Sequence, residues 1–459
     1  MRTHILFIIF FLTYYIGFTQ FGPQQIITTN VLNPRAVFAA DINSDGNIDV
    51  LSASSADKKI AWYKNMDGLG NFGEQQIIDI SLEALRTVYT SDLDGDGDQD
   101  ILSTSRSDNL VVWFKNIDGL GNFSSQILIT ENAMGARSVY STDLDGDEDM
   151  DVLSASFEDN KIAWYENLDG LGNFGSQQII TSSALSVRSV FAADIDGDGD
   201  MDVLCDSSDN GTGNPSWFEN IDGLGNFSSQ HEITQDTWGS IFTIAEDVDG
   251  DGDMDVLNVE FGANIIAWFE NLDGLGNFGP KLIISIEVDA PRQIRAVDVD
   301  NDGDIDVISV SQGDDKIAWY ENIDGLGNFA PQQIIAIDIG AAYSVYTADL
   351  DNDGDIDVMS ASISADTIAW YENLTILGVK DNNLKEFVFY PNPVSSILNI
   401  ENNSNYIINS IKFYNVLGSL VYQVENPKQQ INVSNLASGL LFAQLDTNKG
   451  MITKKIIKE

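Results

Sequence analysis

A sevenfold repeat, strand-forming composition within each repeat and a cut repeat at each end predict an all-β chain. The expected architecture is a seven-bladed β-propeller followed by a small C-terminal β-sandwich. Aspartate loops begin at Asp41, Asp92, Asp143, Asp194, Asp247, Asp298 and Asp349, separated by 51, 51, 51, 53, 51 and 51 residues. Trp62, Trp113, Trp164, Trp217, Trp268, Trp319 and Trp370 keep the same interval. Such a period marks one supersecondary unit used repeatedly.

Four short strands are expected per unit. In the second they are Arg86–Ser91, Asp100–Ser105, Leu110–Asn116 and Phe123–Thr130, rich in β-branched and aromatic residues and bounded by turn residues. Ile60-Ala61-Trp62-Tyr63 is apolar on both sides of its pleat, so both sheet faces should be buried. Radially stacked blades satisfy this, because each is covered by two neighbours. A helical solenoid would need a period near 3.6, which is absent.

The turn Asp-Gly-Leu-Gly-Asn-Phe occurs six times, with Phe at 72, 123, 174, 227, 278 and 329, and is missing after Trp370. Its following strand stands alone near the N-terminus as Phe21-Gly22-Pro23-Gln24-Gln25-Ile26-Ile27, matching Phe329-Ala330-Pro331-Gln332-Gln333-Ile334-Ile335. A ring closed by the N-terminal strand entering the last blade explains this cut. Closure also removes exposed edges.

The loops themselves place oxygen ligands at alternate positions of a nine-residue turn. The sets are Asp41, Asn43, Asp45, Asn47 and Asp49; Asp92, Asp94, Asp96, Asp98 and Asp100; and Asp143, Asp145, Asp147, Asp149 and Asp151. The fourth and fifth are Asp194, Asp196, Asp198, Asp200 and Asp202, then Asp247, Asp249, Asp251, Asp253 and Asp255. The last two are Asp298, Asp300, Asp302, Asp304 and Asp306, then Asp349, Asp351, Asp353, Asp355 and Asp357. Hard cations such as Ca²⁺ take six to eight oxygens, so up to seven structural calcium ions are expected. The ligands would be the side chains at positions 1, 3, 5 and 9 and the carbonyl of position 7. An EF-hand is excluded, because position 12 is Ser103 inside a strand rather than Glu. A metal-free turn would leave five carboxylates repelling one another. Asn43 and Asn47 should weaken the first site, and Glu148, where the others have Gly, should strain the third. Asn301 and Asn352 at position 4 should be harmless. At tenfold excess over Kd each site adds about 1.4 kcal/mol, and seven add roughly 10 kcal/mol.

The net charge is −48, from 71 acidic and 23 basic residues, which argues against nucleic acid or an anionic membrane as partner. Seven calcium ions would leave −48 + 14 = −34. Cys205 is the single cysteine, so no intrachain disulfide or thiolate metal site forms, and only two histidines are present. Arg2 and His4 precede an apolar run from Ile5 to Leu12 that continues to Phe18, which reads as an export signal over residues 1–19. A membrane anchor is the alternative, although the run is marginal in length and lacks a cationic stop.

The Asp-x-Asp-x-Asp-Gly-x-x-Asp loops on a four-stranded unit resemble FG-GAP/VCBS repeats, the propeller repeats of integrin α-subunit heads, over residues 20–374. Such repeats occur in adhesins, lectin-like proteins and some polysaccharide-acting enzymes, so the resemblance implies a fold and not an activity. After a linker over 375–386 the composition becomes lysine-rich. Strand-like runs at Ile397–Glu401, Ile411–Asn415, Leu440–Leu445 and Ile452–Ile457 suggest a β-sandwich over 387–459. Phe389-Tyr390-Pro391-Asn392-Pro393-Val394, Tyr414-Asn415-Val416-Leu417-Gly418 and the terminal Lys454–Glu459 resemble the type IX secretion sorting domain of Bacteroidetes. That resemblance implies export by the type IX machinery, then release or surface attachment. An unrelated carbohydrate-binding sandwich is the alternative.

Arg35, Arg86, Arg137, Arg188 and Arg292 each lie six residues before a loop start, where units five and seven carry Ile241 and Tyr343. If the first strand is innermost, they ring one mouth of the channel, facing an acidic glycan or carboxylate group. Alternatively they pair with Asp57, Asp108, Asp159 and Asp314, each 16 residues after its loop start. The repeated tryptophans should be core, and Trp238, outside the repeat, is the candidate exposed contact. A monomeric, secreted or surface binding protein with a glycan or protein ligand follows. The competing reading, a polysaccharide lyase, needs a base and a uronate neutraliser, and no insertion interrupts the repeats to carry them.

Overall fold

The computed structural model describes residues 20–207, 213–375, 387–402, 408–415, 420–425, 427–447 and 450–458. The expected export segment, nearly all of the linker, Val416-Leu417-Gly418 and Glu459 lie outside the described residues. No helix among the described residues is long and apolar enough to cross a membrane. The chain divides into two compact units, Met1–Leu374 and Thr375–Glu459.

The first unit is a ring of seven four-stranded antiparallel sheets. Blade 2 comprises Leu85–Ser91, Asp100–Ser105, Leu110–Phe114 and Ile127–Thr130 in that spatial order. The third and fourth strands are shorter than expected. Asn116 and Phe123 meet only in an isolated bridge, because the glycine turn between them departs from the pleat. Every complete second strand is buried along its whole length, as in Asp151–Ser156 and Asp306–Ser311. Blade 7 is built from Ala342–Ala348, Asp357–Ser362 and Thr367–Tyr371, and its outer strand is Gln25–Thr28 from the other end of the chain. The Phe21–Asn373 bridge repeats the Phe72–Asn65 bridge of blade 1. The ring therefore closes as the cut repeat predicts.

The tryptophans are core. Trp62, Trp113 and Trp164 are buried, and each packs against the second glycine of the Asp-Gly-Leu-Gly-Asn-Phe turn in the next blade. Gly172, at φ 75°, presses so closely on Trp113 that a Cβ would lie 2.4 Å from its Cζ2. Blade 4 is the irregular one, with a two-residue outer strand, His231–Glu232. Its His231 ring stacks on Trp217.

The second unit is a two-sheet sandwich. One sheet pairs Phe387–Tyr390, Ile397–Asn402 and Gln430–Asn432, and the other orders Leu420–Glu425, Ile408–Asn415, Gly439–Thr447 and Gly450–Lys458. Leu398, Ile411, Phe413, Ala443, Leu445 and Ile456 form much of its core.

Candidate functional site

Each aspartate loop joins the first and second strands of its blade. The position-6 amide donates to the position-1 carboxylate in all seven, from Gly46 to Asp41 (2.8 Å) through Gly354 to Asp349 (3.1 Å). Glu148 adopts φ 72°, the left-handed region glycine favours, and still donates to Asp143 at 2.9 Å. The third turn is strained but not distorted. Asn301 and Asn352 take φ 61° and 59°, which asparagine tolerates, and Asn352 Nδ2 donates to Gly68 O across the ring closure.

The position-9 aspartates are buried struts. Asp151 accepts from Leu144 N at one oxygen (3.0 Å) and Asn167 N at the other (2.8 Å), and the other six accept the same pair of amides. Burial pushes Asp100, Asp151, Asp202, Asp255, Asp306 and Asp357 up to about 7 against these amides, and Asp49 to about 6. Positions 1, 3 and 5 converge. Oxygens of Asp143, Asp145 and Asp147, of Asp247, Asp249 and Asp251, and of Asp298, Asp300 and Asp302 lie within 4.8 Å of one another. In loop 4 the group is Asp194, Asp196 and Asp202, and in loop 2 Asp92, Asp94 and Asp96. Asp145 Oδ1, Asp196 Oδ1, Asp300 Oδ1 and Asp351 Oδ1 are buried with no hydrogen-bond partner. Burial, then neighbouring carboxylates, push Asp145, Asp300 and Asp351 up to about 6. Converging, unpartnered carboxylate oxygens are what a hard divalent cation requires. The position-7 side chains, such as Asp98 and Asp149, instead lie against the first glycine of the adjoining turn, Gly119 and Gly170.

Loops 1 and 2 differ. The Lys64 ammonium lies 2.9 Å from Asp45 and 3.4 Å from Asn43 Oδ1. The Lys115 ammonium contacts Asp94 and lies 3.0 Å from Asp96. Burial works against ionisation of Asp45 and Asp96, but the lysines hold both below the usual carboxylate range.

On the opposite face, Arg35, Arg86, Arg137, Arg188 and Arg292 come together with Ile241 and Tyr343 in one cup of about 130 Å³ on the ring axis. The first strands are thus innermost. Among the described residues none of the five arginines forms an ion pair. Asp57, Asp159 and Asp314 are taken by Lys59, Lys161 and Lys316 at 2.9 to 3.0 Å, and Asp108 accepts from Ser105 Oγ and Glu83 N. The expected Arg–Asp pairing is therefore corrected. Those aspartates sit at the turn into the third strand, whose first residue in three blades is a lysine, whereas the arginines point into the channel. Nε of Arg86, Arg137 and Arg188 has no hydrogen-bond partner. Burial lowers Arg137 to about 10, with Arg188 and Arg86 adding repulsion. Arg35 and Arg292 lie 4.6 and 5.2 Å from the Tyr343 ring centroid. Burial alone would raise the Tyr343 phenol, yet Arg137, Arg35, Arg292 and Arg86 bring it down to about 8. Trp238 is 60% exposed beside Gly262, at the arginine face but outside the cup lining.

The FG-GAP-like repeat model matches residues 41–103, 92–154, 143–205, 247–309 and 298–360, over half of the chain. The chain belongs to the FG-GAP-like repeat family. Residues 388–459 match the secretion system C-terminal sorting domain, which makes this a secreted or cell-surface FG-GAP-like protein exported by a type IX system. No curated protein matches the chain. Among solved structures, an Agrocybe aegerita lectin studied for recognition of non-reducing terminal N-acetylglucosamine is 20% identical at a TM-score of 0.52. That match covers 75% of this chain and 87% of the lectin. The complex of BBS1N with ARL6DN contributes a chain 7% identical at a TM-score of 0.54, covering 77% and 97%. At these identities the likeness is one of fold.

The sequence reading missed a second set of repeated residues in these FG-GAP-like units. Asn65, Asn116, Asn167, Asn220, Asn271, Asn322 and Asn373 each follow the blade tryptophan by three residues. Each donates Nδ2 to the position-2 carbonyl of the preceding blade's loop, as Asn167 does to Leu93 O at 2.9 Å and Asn65 to Leu350 O at 2.7 Å. The signal was the shared beat; the partner lies one blade away and needs the fold.

Proposed function

We propose that this chain is a secreted or surface-displayed binding protein, braced by calcium in its aspartate loops, that takes an anionic group of a glycan or protein ligand in the arginine cup. The observation that carries the reading is the convergence of five guanidinium groups, without carboxylate partners, in a chain of net charge −48. Charge-assisted, bidentate bonds to carboxylate or sulfate are what unpaired arginines offer. A lectin on the same fold adds support for a glycan ligand. The loops and the cup lie at opposite ends of the blades, so calcium acts on the scaffold and leaves the cup free for ligand. Calcium, when bound, supplies positive charge among the clustered carboxylates.

The test is an array of acidic and neutral glycans probed with the chain and with Arg86→Ala/Arg137→Ala/Arg188→Ala. Binding of acidic glycans that falls by at least about a hundredfold in the triple variant, at one to three kcal/mol per lost charged bond, supports the reading. Equal binding by both proteins overturns it.

A further inference from the structure

The residue that leaves the third strand next to Tyr or Phe, 23 residues after the loop start in most blades, divides the ring into two groups. In blades 3 to 7 it is Glu166, Glu219, Glu270, Glu321 and Glu372. In blades 1 and 2 it is Lys64 and Lys115. Those are the lysines whose ammonium groups reach the loop carboxylates.

We infer that Lys64 and Lys115 are built-in cations that replace the divalent ion in loops 1 and 2, so that the ring holds five ions and not seven. The inference rests on the reading of the other loops as divalent-cation sites. Lys115 contacts both Asp94 and Asp96, residues whose oxygens form the converging group of that loop. An ion there would stand a few ångströms from a fixed ammonium, and like charges at that range in a partly buried site repel strongly. The ammonium already places a positive charge between the two carboxylates it touches, Asp94 and Asp96. In loop 1, Asn43 has replaced a carboxylate and Asn43 Nδ2 donates to Asp49 at 2.6 Å, so part of the ligand set is spent internally. The other five loops have no cation within ion-pair distance among the described residues, so the lysine contacts alone set loops 1 and 2 apart. Blades 1 and 2 are the first two to be completed by the chain, and an internal cation makes their loops independent of ion supply.

The experiment is a count of calcium per chain by elemental analysis and native mass spectrometry of the full-length protein after saturation and desalting. Wild type should carry five. Lys115→Glu should carry six, with Lys115→Gln as the milder variant if the glutamate chain folds poorly, and Glu219→Lys should carry four. A wild-type count other than five, or an unchanged count in both Lys115 variants, overturns the inference. A count of zero in every protein would instead fail the cation reading of all the loops, and with it this one; six or seven in wild type fails this inference alone.

Discussion

Tyr343 carries the sharpest consequence at the scale of the residue. Its phenol is drawn down to about 8 by the surrounding arginines against the effect of burial. Above that pH the cup gains a negative charge, so affinity for an anionic ligand falls as pH rises through about 8. If ligand raises the tyrosine by one pKa unit, the loss is about tenfold. Calorimetric titration of an acidic oligosaccharide across this range should show it, and Tyr343→Phe should flatten the curve. The position-9 aspartates give a second pH effect. The pKa values are raised in the folded chain from 3.8 to about 7 in six of them and to about 6 in Asp49, so the calcium-free fold binds more protons than the unfolded chain between those values. The contribution of each is present at low pH and is lost as pH rises towards about 7. Calcium-free protein should therefore lose stability over that interval. Addition of calcium near neutrality should release protons, measurable as a buffer-dependent binding enthalpy.

At the level of blades and loops, neighbours are joined by devices that repeat with the period. Asn167→Ala would strand the buried Leu93 carbonyl and should cost about 1 to 3 kcal/mol in urea unfolding. Gly172→Ala should cost more than Gly97→Ala. Both glycines have positive φ, but a Cβ at 172 drives into Trp113, while one at 97 meets nothing within 4 Å. The strands, the burial of the repeated tryptophans and the spacing of the loop aspartates were legible in sequence, because period and side-chain alternation suffice to place them. The arginine partners were not. Spacing put Asp57 and Asp159 in the correct loop set, but only the fold shows that Lys59 and Lys161 stand closer and that the arginines turn inward. Lys64 and Lys115 were equally visible as letters, and their meaning depended on the third strand leaving its sheet above the loop.

Across the whole molecule, closure and charge are linked. The N-terminal strand Gln25–Thr28 completes blade 7, so removal of residues 20–28 should open the ring and expose the edge of Thr367–Tyr371. Aggregation of that truncated chain, followed by light scattering, is the expected result. The central claim is that divalent ions among the aspartates hold the closed ring. Five sites at tenfold excess over Kd contribute roughly 7 kcal/mol, which for a domain of this length is a shift of the order of 10 °C. The most direct test is the thermal midpoint in millimolar Ca²⁺ and in excess EGTA. A midpoint higher in calcium by about that amount is predicted, and the same midpoint in both would contradict the account.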